Sequence, residues 1–128
     1  MEKHWLKSYP AGVRPTIDVS EYRSLTHLID SSLKEHADHV AYVQMGTELS
    51  YRELDQQSAA FAAWLQQTAG IQKGDRVAVM MPNILQYPIA VCGVLRAGGT
   101  VVNTNPLYTP RELGHRHTDS GARDIGSL

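Results

Sequence analysis

A chain of 128 residues with a formal net charge of −1, 42% hydrophobic and 20% charged residues has the balance of one globular domain or part of one. No basic stripe is present, which argues against nucleic-acid binding, and Cys92 is the single cysteine, which excludes an internal disulfide framework and fits a reducing compartment. No apolar run reaches the roughly 18 residues needed to span a bilayer, and the opening Met1-Glu2-Lys3-His4-Trp5-Leu6 has no signal-peptide core, so a cytoplasmic chain is expected, with peripheral contact at the inner face of the membrane left open.

Residues 1–23 hold Pro10 and Pro15 and no sustained period. They read as an extended N-terminal arm that Trp5, Leu6, Tyr9 and Val13 tack to a surface. Ser24 then caps an amphipathic helix to about His36, with Leu25, Leu28, Ile29 and Leu33 at helical spacing. Val40 to Val43 and Glu48 to Ser50 flank the turn Met45-Gly46-Thr47 and predict a β-hairpin. Ser50 and Glu53 have the spacing of a capping box, followed by a helix to about Thr68 that Gly70 ends. Leu54, Ser58, Phe61 and Leu65 form its inner seam, and Ala59, Ala62 and Ala63 permit close packing.

After the turn Gly74-Asp75, Arg76 to Met81 is a near-continuous apolar strand. Pro82-Asn83 breaks it and caps a helix over Ile84 to Ala97, apolar almost all round and so expected to be buried, with Pro88 kinking its first turn. Gly98 ends that helix, and Thr100-Val101-Val102 reads as a strand covered on both faces. Asn103 to Pro106 is turn chemistry. Thr109-Pro110-Arg111-Glu112 opens a last helix, to about Ser120, with a second capping box and proline at the first helical position. The order strand–helix–strand–helix implies a parallel sheet with right-handed crossovers.

Two stretches carry a family resemblance. Leu49-Ser50-Tyr51-Arg52-Glu53-Leu54 resembles the first core motif of the adenylate-forming enzymes, and Leu95 to Arg111 resembles the second. The run Met80-Met81-Pro82-Asn83-Ile84-Leu85-Gln86-Tyr87-Pro88 points to the bacterial long-chain fatty-acid–CoA ligases within that superfamily. The resemblance implies an α/β fold: an incomplete parallel-sheet layer with flanking helices plus a short β-hairpin, part of the large N-terminal domain of an adenylate-forming enzyme. On that reading residues 1–23 are the arm and 24–128 a partial α/β domain. The tail, Arg123-Asp124-Ile125-Gly126-Ser127-Leu128, is polar where relatives continue into another apolar strand. That departure predicts a shortened chain or a disrupted reading frame, and self-association of what remains.

The resembling enzymes use ATP with Mg2+ to adenylate a fatty acid, releasing pyrophosphate, and then transfer the acyl group to coenzyme A. The family's phosphate-binding loop, magnesium-binding glutamate and catalytic lysine match no position here, so no catalytic, cofactor-binding or metal residue is assigned. The residues offer no substitute. There is no G-x-x-x-x-G-K-[ST], and Gly70 and Gly74 are followed by Asp75, whose charge repels phosphate. Gly98-Gly99 reads as a helix stop rather than a phosphate cradle. His115 and His117 lie two apart on a helix and point to different faces, and His36 and His39, near Glu35 and Asp38, read as solvated surface rather than a metal site. Cys92, amid Val91, Val94 and Leu95 and with no basic partner nearby in sequence, reads as a buried, inert core residue. Ser50 has a capping role rather than a nucleophilic one. Trp64 and Tyr87 read as core or subdomain packing rather than a lipid or partner surface. The chain is thus expected to be inactive alone. The alternatives are part of another carboxylic-acid–CoA ligase, or a non-catalytic dimerisation or interaction module. A response-regulator receiver has this layer order but needs clustered acidic residues at strand ends, which are missing.

Overall fold

The computed structural model describes residues 3–122, so the reading of Arg123 to Leu128 lies outside the described residues. The elements are α1 (Leu25–Glu35), β1 (Val40–Gln44), β2 (Thr47–Ser50), α2 (Tyr51–Gln67), β3 (Arg76–Val79), α3 (Gln86–Arg96), β4 (Thr100–Asn103) and α4 (Pro110–Ser120). A short 3-10 helix, His4–Ser8, precedes them.

Local chemistry explains most of the boundaries. The Ser24 hydroxyl accepts from the His27 amide, and both expected capping boxes form, Ser50 with Glu53 and Thr109 with Glu112. In each box the side-chain oxygen satisfies an orphan amide of the first turn while the glutamate reaches back to the cap amide. The hydrogen bonds that Ser50 and Thr109 donate hold the Glu53 and Glu112 carboxyls below their ordinary range. The hairpin β1–β2 is antiparallel and turns through Met45 and Gly46, both at positive φ, 49° and 80°. Gly98, at φ 87°, ends α3 in a Schellman arrangement: its amide donates to the Leu95 carbonyl and the Gly99 amide to Val94.

β3 and β4 pair in parallel, with Val77 beside Val101 and Ala78 beside Val102. The larger core lies under this sheet, where Leu65 of α2, Val77 and Val79 of β3, and Ala90 and Val94 of α3 are buried together. A smaller cluster, Leu33, Leu49 and Leu54, joins α1 to the hairpin and α2. Leu54, Ser58 and Leu65 carry the α2 seam as expected, with Ala62 buried among them, whereas Phe61 is only half-buried and Ala59 is exposed.

Several sequence expectations need correction. β3 stops at Val79 rather than Met81 because the chain turns toward Pro82. Helix α3 starts at Gln86, two residues later than expected, and Asn83 does not cap it. The cap comes from the hairpin instead: Gln44 accepts from the Leu85 amide at 3.1 Å and donates to the Asn83 carbonyl at 3.2 Å. This later start places Pro88 third in the helix, where its missing N–H is one of the four that have no intrahelical partner, so no kink is required. β4 is half-buried at Val101 and Val102, not covered on both faces. The arm is not tacked down by its apolar residues, since Trp5, Tyr9 and Val13 are exposed and its 3-10 helix buries nothing.

Candidate functional site

The residues weighed from sequence do not converge. The His36 and His39 rings stack at 5.6 Å beside Tyr51, and Asp38 pairs instead with Arg52. Among the described residues no group of three or more His, Cys, Asp or Glu is placed to hold a metal ion. His115 is exposed, whereas His117 is half-buried on another face of α4. Trp64 stacks on Phe61 at 5.9 Å with one side in solvent, and the Tyr87 hydroxyl is 2.9 Å from Asn103 Oδ1.

Gly98 and Gly99 do not fit a phosphate. Both amides are committed to the end of α3, the Gly98 carbonyl accepts from Gly74, and a Cβ on Gly99 would lie 3.0 Å from Val94 Cγ1. Asp75 is likewise committed, taking the Gln72 amide on its carboxylate and the Thr100 amide on its carbonyl. A phosphate loop needs amides directed outward toward the anion, and these are turned inward.

Cys92 is half-buried rather than fully buried, and it does have a basic neighbour, Arg96, one helical turn away. Burial pushes the thiol up, and Asp30 adds to that shift against the opposing effect of Arg96. The thiol is therefore protonated at neutral pH. Modification by a thiol-exchange reagent should be slow in the native state, accelerate toward alkaline pH, and speed up sharply on denaturation. Rapid native labelling at pH 7 would contradict the packing of α3.

Arg96 is the residue that sequence reasoning missed. Its Nε and Nη2 donate to Asp30 Oδ1 on α1 at 3.1 and 2.8 Å, and Nη1 donates to the Asp55 carbonyl and Ser58 Oγ on α2 at 2.7 and 2.9 Å. Nη2 also pairs with the Asp55 carboxylate. A lone guanidinium in an apolar helix was the available signal. The arrangement fixes three helices and presents no free donor toward a cleft, so it is structural.

A cleft of about 620 Å³ lies between β3 and α4. Its floor is formed by consecutive residues of one strand and its continuation, Val77 to Met81, together with Val102 and Thr104. Its roof is a stripe of α4: Pro110, Leu113, Gly114, His117 and Ser120. Spacings of three and four put these on one helix face, and Leu113, His117 and Ser120 are half-buried there. Arg116, at the rim, lies 5.8 Å from the centre of the Tyr108 ring and donates to its hydroxyl. Among the described residues its lining is mostly aliphatic, with Thr104, Arg116, His117 and Ser120 as the polar members and no carboxylate or lysine.

The family of AMP-binding enzymes matches residues 29–125. The chain is 58% identical over 122 residues to a long-chain-fatty-acid–CoA ligase of Yersinia pestis, covering 95% of this chain and 22% of that protein. Against the ligase of the same description from Bacillus subtilis it is 39% identical over 127 residues, again 22% of that protein. The chain thus spans about a fifth of the length of the curated relatives it matches. Among solved structures, Klebsiella oxytoca NpsA in complex with 3-hydroxyanthranilyl-AMSN superimposes with a TM-score of 0.76 at 26% identity, over 84% of this chain and 23% of that one. VinN does so with a TM-score of 0.73 at 31% identity, over 77% of this chain and 26% of that one.

Proposed function

Because the chain belongs to the AMP-binding enzyme family, we propose that it forms the N-terminal part of a long-chain fatty-acid–CoA ligase and acts there as scaffold rather than as catalyst. The observation that carries this reading is the 58% identity to the Yersinia pestis ligase, sustained over 95% of the chain. The structure gives the reading a physical form. Both resembling motifs are helix and strand boundaries: Ser50-Tyr51-Arg52-Glu53 starts α2, and Gly98 to Glu112 stops α3, lays down β4 and starts α4. In the whole ligase, ATP with Mg2+ would activate a fatty acid for transfer to coenzyme A, and groups outside the described residues would carry that chemistry. The ligase would work in the cytoplasm, and exposed Trp5 and Tyr9 are where contact with the inner membrane face should be sought.

Two measurements test the reading. Residues 1–128 alone should release no pyrophosphate from ATP in a fatty-acid-dependent manner, and robust turnover by the isolated chain would refute the scaffold role. A chimera in which this chain replaces the matching segment of the Yersinia pestis ligase should form acyl-CoA from long-chain fatty acids. A folded but inactive chimera would refute the ligase assignment.

A further inference from the structure

The tip of the β1–β2 hairpin carries a residue that neither its backbone nor its surroundings favour. Gln44 pairs with Thr47, so Met45 and Gly46 alone make the turn. Both have positive φ, 49° and 80°, as in the mirror-image two-residue turn whose preferred sequence is Asn-Gly. Gly46 meets that preference and Met45 does not. Met45 is the one non-glycine residue at positive φ among the described residues, a region that a Cβ disfavours. Its side chain also stands clear of the fold, 99% exposed. Asparagine would serve both the backbone and the solvent better. What methionine brings to this position, and asparagine lacks, is a thioether.

The other described sulfurs are shielded. Met80 is 40% exposed, and Met81 is half-buried against the larger core. Cys92 is half-buried, and burial keeps its thiol protonated, which removes the nucleophilic thiolate. A thioether carries no proton on sulfur, so its reaction with an oxidant needs only access. The consequences differ as well. An oxygen added to Met45 enters bulk water directly. The Gln44 side chain beside it is committed to Asn83 and Leu85 at the start of α3, away from the turn. An oxygen added to Met81 would place a polar group against the aliphatic core.

We propose that Met45 is a reversible oxidation site, at which a hydroperoxide transfers one oxygen to the thioether without loss of the fold. The sulfur lone pair attacks one peroxide oxygen. The S–O bond forms as the O–O bond breaks, and the proton of the attacked oxygen passes to the departing one, which leaves as water. Sulfur loses two electrons and the peroxide gains them. Stereospecific sulfoxide reductases reverse the step, with a dithiol supplying the two electrons, becoming a disulfide and releasing water. The exposed turn leaves the product open to them.

Hydrogen peroxide at neutral pH, followed by peptide mapping of the folded 128-residue chain, tests the site. Met45 should form sulfoxide at least about fivefold faster than Met80, and faster still than Met81. In urea the three rates should converge, because the fold sets the order. Chain oxidised at Met45 alone should melt within about 1 °C of the parent. Met45→Asn should remove the fast site and melt at or above the parent, since it restores the preferred turn sequence. Both stereospecific reductases together, with a dithiol, should return the folded, oxidised chain to the thioether. The folded Yersinia pestis chimera should oxidise at Met45 within about twofold of the isolated chain's rate. Met45 reacting no faster than Met80 in the folded chain would overturn the site. So would a Met45 sulfoxide that lowers the melting temperature by more than about 5 °C, or one that the reductases cannot remove. Protection of Met45 in the chimera would also overturn it, making the hairpin tip a buried contact. The ligase reading stands or falls separately, on acyl-CoA formation by the same chimera.

Discussion

Gly93→Val is expected to destabilise the chain by about 3 kcal/mol and to lower its melting temperature by roughly 10 °C. Gly93 is buried where α3 crosses α2. A Cβ placed there would sit 2.6 Å from Phe61 Cδ1 and 3.1 Å from the Ser58 carbonyl oxygen. The ring is half-exposed and can yield, but the carbonyl belongs to the helix backbone, so the helices must separate. Separation reaches Leu65 and Val94, both fully buried, and opens a core packed to crystal-like density. Gly93→Ala separates two opposing effects. Alanine gains about 1 kcal/mol of helix propensity over glycine, which offsets part of the strain of the same Cβ. The alanine variant should therefore melt below the parent, and valine lower still. Equal melting temperatures for all three would show that α2 and α3 do not approach as described.

Arg96→Ala is expected to cost about 2–3 kcal/mol. Burial works against the guanidinium charge, but hydrogen bonding to Asp55 and Asp30 outweighs it and holds Arg96 above its ordinary pKa. The arginine side chain is only 16% exposed, whereas Asp30 and Asp55 retain 39% and 42%, so the carboxylates regain water when the cation is removed and the full penalty of a buried orphan charge does not apply. What is lost is the planar fork that holds α1 and α2 against α3 at once. Arg96→Lys should recover less than half of the loss, because one ammonium cannot reach Asp30, the Asp55 carbonyl and Ser58 Oγ together. Urea melts of the two variants, alone and combined with Asp30→Asn, give the coupling directly. Additive losses for Arg96→Ala and Asp30→Asn would mean the pair contributes nothing.

The fold was legible wherever a partner lies close in sequence. Ser24, Ser50 and Thr109 cap helices through amides three residues away, and the Gly98 and Gly99 amides close α3 on carbonyls three and five residues back. Such bonds close within a single turn, so the residue types announce them. The expected start of α3 failed for the complementary reason: the cap is Gln44, 41 residues before Leu85, and no local signal encodes it. Cys92 shows the same limit. Its helical neighbour Arg96 stood four residues away in the sequence, yet its shift also involves Asp30, 66 residues before Arg96.

By itself, then, the sequence determined the α/β element order, both capping boxes, the glycine stop at the end of α3, and the motifs shared with the AMP-binding enzymes. These depend on contacts whose loop-closure cost is small. Only the tertiary structure decided that Arg96 binds α1 and α2 together, that a hairpin glutamine caps α3, and that α4 roofs a cleft over β3. Each of these joins residues separated by long loops, and their ordering cost is met only when the core around Leu65 and Val94 has closed.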